Sequence, residues 1–445
     1  MKTLAALAAD LDAGRTTARA LTEAALDRIA DPAGEGARAF IRVHAESALR
    51  AAEAQDTLRR AGRAPSPYAG IPLAVKDLAD IAGETTAAGS RALAEAPPAT
   101  RHAPAFARLL AAGMVAVGRA NMTEFAFSGL GINPHYGTPA APWDRATRHI
   151  PGGSSSGSAV AVADGMAAVG LGTDTGGSCR VPAAFCGITG YKPTARRVPL
   201  DGIVPLAPSL DSVGPLAPTV ACCAIADALL SGAAPVPPAA AEVAGLRLLL
   251  PETLVLDGME AAVADAFDAA LRRLSAAGAR IVRIPLAPFG ELPRVNAAGG
   301  FASAEAYAWH RPLLAERAAL YDPRIRARIE RGRLQSAADY IDLRAARTRL
   351  RARLDAATAG HDAVVMPTVP ILPPPIAALE ADEAEYNRVN LLALRNTALA
   401  NFFDRCAISL PVSQAPPVGL MLMGETMGDA RLFAVAAAIE RCLAA

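Results

Sequence analysis

Two loops rich in glycine and serine carry the residues whose types and spacing could do chemistry. The first covers residues 151–157 (PGGSSSG) and the second covers residues 172–180 (GTDTGGSCR). Because glycine has no side chain, such loops turn sharply and can present consecutive N–H groups as a pocket for an anion. An acyl-transfer enzyme needs such a pocket for the oxyanion of its tetrahedral intermediate. The second loop therefore predicts an oxyanion hole over residues 175–178, with Ser178 placed to attack.

The same loops have two other interpretations, as flexible connections or as a cradle for phosphate. A phosphate loop has the pattern G-x-x-x-x-G-K-[ST], and the required lysine is missing here. A dinucleotide fingerprint needs a third glycine, and Thr175 occupies that position after Gly170 and Gly172. Residue types alone leave open whether the loops are catalytic.

A serine nucleophile needs a base, and histidine is the first candidate. Residues 153–157 match G-x-S-x-G, the nucleophile elbow of α/β-hydrolases. That elbow requires a buried strand before it, whereas residues 144–150 are polar and loop-like. His102, His310 and His361 have charged or helical neighbours, and we expect them at the surface. The pattern therefore disfavours a Ser-His-Asp arrangement.

Lysine is the alternative base. Lys76 follows the apolar run at residues 71–75, which predicts a buried strand. A lysine held at the end of such a strand loses hydration, so its pKa falls and its neutral amine can accept a serine proton. A buried ion pair between Lys76 and Asp77 or Asp80 is the competing interpretation.

Short apolar runs alternate with helical patterns along the chain, which predicts an α/β sheet covered by helices. Strands are expected at residues 71–75, 114–117, 246–250 and 418–423, and near residues 364 and 408. Helices are expected over most of residues 1–63 and 302–357, and at 103–112, 159–169, 258–277 and 429–443. Thr16 or Thr17 could cap the helix that runs to about residue 29. The Pro- and Ala-rich residues 233–245 resemble a surface connection, and no linker between independent domains is visible.

Composition and charge disfavour several other classes of function. The 44 basic and 43 acidic residues leave a net charge of +1, without the basic stripe that nucleic acid needs. The six cysteines include no C-x-x-C pair, which disfavours a zinc or redox site and suits reduced thiols in the cytoplasm. The N-terminus lacks an apolar signal-peptide core, and residues 158–171 are too short and too interrupted to span a bilayer. We therefore expect a cytoplasmic protein that binds neither nucleic acid nor membrane.

Four segments together resemble the amidase-signature family of serine hydrolases. They are residues 70–77 (GIPLAVKD), 152–159 (GGSSSGSA), 172–180 and 190–194 (GYKPT). The resemblance is strong from about residue 65 to about residue 220, and it extends more loosely through residues 121–125 and 409–411. Ser156 departs from the family pattern by replacing a glycine, and it could cap the helix that follows.

The resemblance implies a Ser-cisSer-Lys triad. Ser178 would be the nucleophile, Ser154 the bridging serine after a cis peptide bond, and Lys76 the neutral base that draws the proton of Ser178 through Ser154. The implied oxyanion hole consists of the N–H groups of Thr175, Gly176, Gly177 and Ser178. The implied acyl side of the cleft is lined by Ala126, Phe127 and Ser128.

The implied fold is α/β, an α/β/α sandwich with a large central mixed β-sheet. It would form a single amidase domain over residues 1–445, with a signature core at about 65–220 and a helical substrate-cleft region at about 285–360. No cofactor and no metal is implied. Cys406 stands where many members carry a small Gly/Pro pair near the cleft, so the resemblance is weakest for substrate specificity.

The implied activity is hydrolysis of the C–N bond of a small amide or amide-like molecule through an acyl-enzyme. Amides, anilides, carbamates or urethanes, and ureas all suit this chemistry. The alternative is a glutaminase or transamidation subunit of a tRNA-dependent amidotransferase, which the short chain and the absence of a basic surface disfavour. A non-catalytic binding protein is disfavoured because all three triad residues are present. A small-molecule substrate is expected, and the oligomeric state is open, with a homodimer as one option.

Overall fold

The computed structural model describes residues 1–239 and 241–444. Residue 240, inside the predicted connection at 233–245, and residue 445 lie outside the described residues. The described chain contains eleven strands: β1 Phe40–Val43, β2 Pro72–Lys76, β3 Val115–Ala120, β4 Val169–Thr173, β5 Thr189–Lys192, β6 Val213–Ala217, β7 Arg247–Pro251, β8 Arg280–Ile284, β9 Ala363–Pro367, β10 Ala407–Gln414 and β11 Pro417–Met423.

The same residues contain seventeen α-helices: α1 Leu4–Asp12, α2 Ala18–Ala30, α3 Gly36–Ala39, α4 Ala45–Arg60, α5 Pro104–Ala111, α6 Ser156–Ala163, α7 Arg180–Cys186, α8 Val220–Ser231, α9 Ala261–Ala276, α10 Ala287–Val295, α11 Gly300–Arg317, α12 Pro323–Glu330, α13 Ala337–Thr358, α14 Ile376–Ala381, α15 Glu383–Arg395, α16 Thr397–Phe402 and α17 Asp429–Ala444. Short 3-10 helices lie at Glu124–Ala126, Ala318–Leu320 and Arg331–Leu334. Each described helix is too short or too polar to span a bilayer.

All eleven described strands join one mixed sheet in the order β1-β3-β2-β4-β6-β5-β10-β11-β9-β7-β8. Strand β2 pairs in parallel with β3 and β4, and β7 pairs in parallel with β8 and β9. The remaining pairs, including β4 with β6 and β10 with β11, are antiparallel. Helices cover both faces, with α1, α5, α8, α9 and α17 on one side and α2, α4, α6, α7, α10, α13 and α16 on the other. The α/β/α prediction is confirmed.

Successive side chains of a strand point to opposite faces of the sheet, which explains why helices cover both faces. In β2, Leu73 and Val75 enter the core beneath the first group of helices, while Ala74 enters the core beneath the second. In β7, Leu248 and Leu249 point into opposite cores in the same way. Parallel strands that are buried on both faces have continuous apolar runs in their sequence. This pattern made β2 and β7 visible in the sequence.

Several element predictions were wrong. The helix expected at residues 159–169 is shorter and earlier, because the chain turns at Gly165, whose φ of 71° suits glycine, and then forms β4. Strand β1 lies within the region predicted as helical. Strands β5, β6 and β8 were not predicted, and β6 contains Gly214 and Pro215, which have low strand propensity. By contrast, the Thr17 side chain caps α2 as expected, accepting from the Ala20 N–H at 3.0 Å.

Candidate active site

Lys76 and Thr173 end two neighbouring parallel strands, β2 and β4, so they meet at the same edge of the sheet. The Lys76 Nζ lies 2.7 Å from the Oγ of Ser154 and 2.7 Å from the Oγ1 of Thr173. The lysine is 1% exposed. Its amine is therefore held in a dry position against a serine hydroxyl.

The surroundings of Lys76 favour its neutral form. Burial lowers the pKa of Lys76 from its ordinary value of 10.5 to about 7. Cys179, Asp174 and Asp211 act in the opposite direction and only partly offset the burial. At neutral pH a substantial fraction of the amine can accept a proton.

The competing interpretation of Lys76, an ion pair with Asp77 or Asp80, is wrong. The Oδ1 of Asp77 instead accepts from the Nε of Arg119 at 2.7 Å, deep inside the protein. The Asp80 carboxylate accepts from the hydroxyl of Thr86 at 2.7 Å. The lysine thus meets hydroxyl groups and no direct carboxylate partner among the described residues.

Ser154 lies in the first glycine-serine loop, between the sheet edge and α6. The peptide bond between Gly153 and Ser154 is cis, as the resemblance implies. The Ser154 carbonyl accepts from the Thr123 N–H at 3.1 Å. The Ser155 N–H donates to the Ser178 carbonyl at 3.3 Å and so joins the two glycine-rich loops. These bonds place Ser154 and Ser178 on adjoining segments at the end of β2 and β4.

The expected cap at Ser156 is wrong. Ser156 is the first residue of α6, its Oγ is buried, and this atom has no hydrogen-bond partner in the described part of the chain. The helix follows the loop directly, and residues 144–150 before it form no strand of the described sheet. The nucleophile-elbow alternative therefore lacks the buried strand that it requires.

A buried ion pair fixes the second loop. The Asp174 Oδ1 lies 2.8 Å from the Nη2 of Arg180, and Asn401 donates to the Asp174 carbonyl at 2.9 Å. Burial alone would raise the pKa of Asp174, but the guanidinium of Arg180 outweighs it and the pKa falls to about 2. The two ends of the loop are thereby tied together around residues 175–178.

The backbone of this loop requires glycine at residue 177. Gly177 has a φ of 142°, and a Cβ there would meet the Oγ1 of Thr397 at 2.1 Å. That hydroxyl donates to the Gly176 carbonyl at 2.7 Å. Within the described residues the N–H groups at 175–178 donate no hydrogen bond. Unpaired N–H groups held by a rigid loop suit an oxyanion.

A small cavity of about 190 Å³ opens beside this loop. Its lining contains most of the residues predicted from the sequence, namely Ala126, Phe127, Ser128, Thr175, Gly176 and Ser178. Lys76, Ser154 and Gly177 are not among the residues that line the cavity. The helical region contributes Phe301 and Arg328, and α15 and α16 contribute Leu394 and Phe402, which the sequence analysis missed.

The segment 124–128 is held in an unusual conformation at the edge of the cavity. Phe125 and Ala126 have φ values of 48° and 59°, a region that costs free energy for residues with a side chain. The carboxylate of Glu124 supports the segment by accepting from the Ser90 hydroxyl at 2.6 Å and from the Asp322 N–H at 2.7 Å. Asp322 caps α12, so this segment and α12 are fixed relative to each other.

His310 was predicted at the surface, and this prediction was wrong. The ring is fully buried on α11, 4.4 Å from the Phe125 ring, with its Nδ1 2.9 Å from the hydroxyl of Tyr321. Burial lowers the pKa of His310 to about 3. Its charged neighbours in the sequence are on the outer side of the helix, which misled the prediction. The ring packs behind the cavity wall and makes no contact with Ser178 that would let it serve as a base.

Comparison with known proteins adds an independent observation. The family model described as Amidase matches residues 20–433. The chain belongs to the amidase family. This amidase is 40% identical over 400 residues to 2-amino-5-chloromuconic acid deaminase of Comamonas testosteroni, covering 88% of this chain and 85% of the relative. It is also 35% identical to a glutamyl-tRNA(Gln) amidotransferase subunit of Chloroflexus aggregans, covering 99% of this chain and 96% of the relative.

Solved structures show the same family relationship. One described as a crystal structure of amidase superimposes with a TM-score of 0.90, at 31% identity over 99% of both chains. The family match and these neighbours establish the amidase as a hydrolase of C–N bonds. Within the described residues, no group of three or more His, Cys, Asp or Glu side chains is arranged to hold a metal ion.

Some residues that shape the site of the amidase were not predicted from the sequence. Thr173 contacts Lys76, but the run that forms β4 was divided between a helix and a loop. Recognising β4 as a second buried strand would have placed Thr173 beside Lys76. Thr397 and Asn401 come from α16, more than 200 residues away, and no local signal in the sequence points to their contacts.

Proposed function

We propose that the amidase cleaves a small amide or amide-like substrate with Ser178 as nucleophile, Ser154 as bridging serine and Lys76 as base. The observation that carries this proposal is the 2.7 Å contact between the Lys76 Nζ and the Ser154 Oγ at a position that is 1% exposed. A lysine with a pKa of about 7 has the basicity that proton transfer near neutral pH requires.

The proposed reaction begins when neutral Lys76 takes the proton of Ser154, as Ser154 takes the proton of Ser178. The Ser178 Oγ then bonds to the substrate carbonyl carbon, and the N–H groups at residues 175–178 stabilise the oxyanion. The C–N bond breaks as the Lys76 ammonium returns its proton through Ser154 to the leaving nitrogen. Water then hydrolyses the Ser178 ester by the same route, releasing the acid and restoring the enzyme.

The proposed unit is one amidase domain over residues 1–445, with a signature core at about 65–220 and a helical cleft region at about 285–360. We propose that it acts in the cytoplasm on a small molecule, as a monomer or a homodimer, without a cofactor, a metal, nucleic acid or a membrane. The cavity of about 190 Å³ is below the roughly 300–1,000 Å³ of a typical ligand pocket. This size and the position of residues 126–128 favour a small acyl group.

A second candidate function is the glutaminase or transamidation subunit of a tRNA-dependent amidotransferase. Similarity to such a subunit over 99% of this chain favours it. The net charge of +1 disfavours direct contact with tRNA, so this function would need a partner protein. Copurification with a second large subunit, and ammonia release from glutamine only in its presence, would support this candidate over the free-standing amidase.

A mass-spectrometric hydrolysis screen tests the proposal. The screen covers primary amides, anilides, ureas, aryl carbamates and an amine-bearing unsaturated acid, with Ser178→Ala as the blank. Turnover by the wild-type enzyme that disappears in the blank supports the proposed reaction and ranks the substrate classes. Equal turnover in the blank contradicts the role of Ser178, and no turnover of any class favours the amidotransferase alternative.

A further inference from the structure

A second cavity, of about 460 Å³, opens outside the active-site cavity and shares no lining residue with it. Its volume lies within the roughly 300–1,000 Å³ of a typical ligand pocket. The charged residues in its lining are Arg196, Arg347, Arg351 and Asp404, which leave an excess of two positive charges. We call this cavity the arginine pocket. An anion is the class of ligand that such a lining attracts.

Two guanidinium groups of the arginine pocket converge on a single carboxylate. The Oδ2 of Asp404 lies 2.6 Å from the Nη1 of Arg196 and 3.3 Å from the Nη2 of Arg351. Arg347 and Arg351 are four residues apart on α13, so they lie on the same side of that helix. Because one carboxylate carries one negative charge, Asp404 can neutralise only one of the two arginines that it contacts.

Arg347 adds a third positive charge and has no carboxylate within ion-pair distance among the described residues. Its guanidinium donates instead to three backbone carbonyls, those of Phe402 at 2.7 Å, Ser209 at 3.0 Å and Asn401 at 3.1 Å. The carboxylates of Asp404 and Glu305 attract it from beyond that distance. A carbonyl accepts a hydrogen bond but carries no net charge, and three such bonds leave two of the five guanidinium N–H groups available to a ligand.

A phosphate monoester suits both the charge and the shape of the arginine pocket. Its phosphate group carries close to two negative charges near neutral pH and offers three acceptor oxygens. Guanidinium groups bind such oxygens through pairs of parallel N–H groups. Beside the arginines the lining is largely apolar, and the rest of an organic phosphate could lie against Val198, Pro199, Leu200 and Pro208.

We infer that Arg196, Arg347 and Arg351 form a second binding site, which takes the phosphate group of a small organic phosphate. The site is next to the active-site cavity but separate from it. The guanidinium of Arg347 stacks on the ring of Phe301, with its carbon 5.1 Å from the ring centre, and Phe301 lines the active-site cavity. None of the three arginines takes part in the proposed reaction, so the site does not depend on the proposed function.

Calorimetry on the whole protein tests the site with three probes: phenyl phosphate, phenyl sulfate and inorganic phosphate. At about pH 7.5 phenyl phosphate is a dianion, whereas phenyl sulfate has nearly the same shape and a single charge. We expect one phenyl phosphate per chain, bound about tenfold or more tightly than phenyl sulfate at low ionic strength, because charge-assisted hydrogen bonds contribute about that factor. Phenyl phosphate should also bind more tightly than inorganic phosphate, because its ring contacts the apolar part of the lining.

Three arginine variants on α13 locate the bound probe. Arg351→Met should weaken phenyl phosphate binding about tenfold, and Arg347→Met should weaken it at least as much. Arg347 also holds residues 401 and 402, so thermal midpoints accompany both variants, and Arg351→Met is the variant that leaves those contacts intact. Arg344→Met is the matched control, because it removes the same charge from an exposed position on the same helix outside the lining. It should bind phenyl phosphate as the wild-type protein does.

The site would be overturned by the absence of phenyl phosphate binding, or by equal binding of phenyl phosphate and phenyl sulfate. Unchanged affinity in Arg351→Met and Arg347→Met would also overturn it, since the probe would then bind elsewhere. An equal loss in Arg344→Met would mean that overall charge, and not the arginine pocket, attracts the probe. Inorganic phosphate that binds as tightly as phenyl phosphate would contradict an organic ligand and favour free phosphate.

Discussion

Two regions of the amidase differ in whether their buried polar atoms are hydrogen-bonded. The first, here the catalytic floor, consists of Lys76, Ser154, Thr173, Asp174 and Arg180. Its side-chain polar atoms are buried and hydrogen-bonded to one another or to neighbouring groups. The second, here the cleft wall, consists of Phe127, Arg328, Tyr386 and Asn390. It contains three buried polar atoms that have no partner within the described chain.

The difference concerns how completely the hydrogen bonds of each region are made, and therefore how rigidly each region is held. A network whose donors and acceptors are all paired is rigid, and rigidity is what proton transfer and oxyanion binding need. A buried polar atom without a partner costs free energy unless a ligand or water supplies one. The catalytic floor is therefore fully paired in the free enzyme, whereas the cleft wall keeps polar atoms without a partner among the described residues.

The largest expected effect is the loss of activity when the amine of Lys76, the proposed base in the catalytic floor, is removed. Lys76→Met keeps the apolar stem and removes the amine, so we expect kcat/KM to fall by a factor on the order of 10² to 10⁴. Lys192→Met is the matched control, because Lys192 is also fully buried but donates to the Pro193 carbonyl at 2.7 Å instead of to Ser154. Steady-state kinetics on both variants, with thermal midpoints to confirm folding, provides the comparison. A near-wild-type rate in Lys76→Met would remove Lys76 from the mechanism.

The next effect tests the rigidity of the oxyanion loop. Gly177→Ala places a Cβ 2.1 Å from the Thr397 hydroxyl at a φ of 142°, so we expect kcat to fall about 10²- to 10³-fold, as for the loss of an oxyanion donor. Gly176→Ala is the control, since its Cβ meets only Leu394 at 3.9 Å. Single-turnover kinetics on both variants separates chemistry from binding. Equal losses in the two variants would mean that the loop conformation at residue 177 is not what matters.

A smaller effect follows from the titration of Lys76. The reaction needs the neutral amine, and protonation below a pKa of about 7 removes it. Therefore kcat/KM should rise with pH, reach half its plateau near pH 7 and fall about tenfold per pH unit on the acidic side. A pH profile of kcat/KM checks this with a neutral substrate that does not itself titrate. An acidic limb centred at about pH 4, the ordinary range of a carboxyl group, would point to a carboxylate base instead.

The smallest expected effect is on the free energy of unfolding, measured for one substitution in each of the two regions. Thr173→Val removes a hydroxyl that contacts Lys76 at 2.7 Å, so we expect it to lower the free energy of unfolding by about 1–3 kcal/mol. Tyr386→Phe removes a buried hydroxyl that has no partner within the described residues, so the free energy of unfolding should stay equal or rise by up to about 1 kcal/mol. Denaturant titrations of ligand-free protein measure both. A larger loss in Tyr386→Phe would show that the cleft wall is as well paired as the catalytic floor.

The three proposed catalytic residues were easier to predict from the sequence than Arg328 and Asn390, for a physical reason. Lys76, Ser154 and Ser178 lie next to local signals, an apolar run and two glycine-rich loops, that the structure brings to one sheet edge. Arg328 and Asn390 lie on amphipathic helices whose sequence resembles any solvated helix. Their placement depends on contacts between distant segments, such as the 2.9 Å bond from Ser128 to Asn390.

The strands of the sheet also differ in how well the sequence predicts them. Strand β2 was predicted because its apolar run stands between clear turn signals. Strand β4 was not, because Gly170 and Gly172 weaken its strand character and the preceding helix is rich in the same small residues. Strand β4 forms because it pairs with β2 and β6, and a short stretch of sequence does not reveal pairing with distant segments.

The most direct test of the central claim, that Ser178 is the nucleophile activated through Ser154 by Lys76, is covalent labelling with a fluorophosphonate. Peptide mapping by mass spectrometry identifies the modified residue and its rate of modification. We expect an adduct on Ser178 alone, no adduct in Ser178→Ala, and a labelling rate in Lys76→Met that is lower by a factor on the order of 10² or more. An adduct on Ser154 or on another residue, or unchanged labelling in Ser178→Ala, would contradict it.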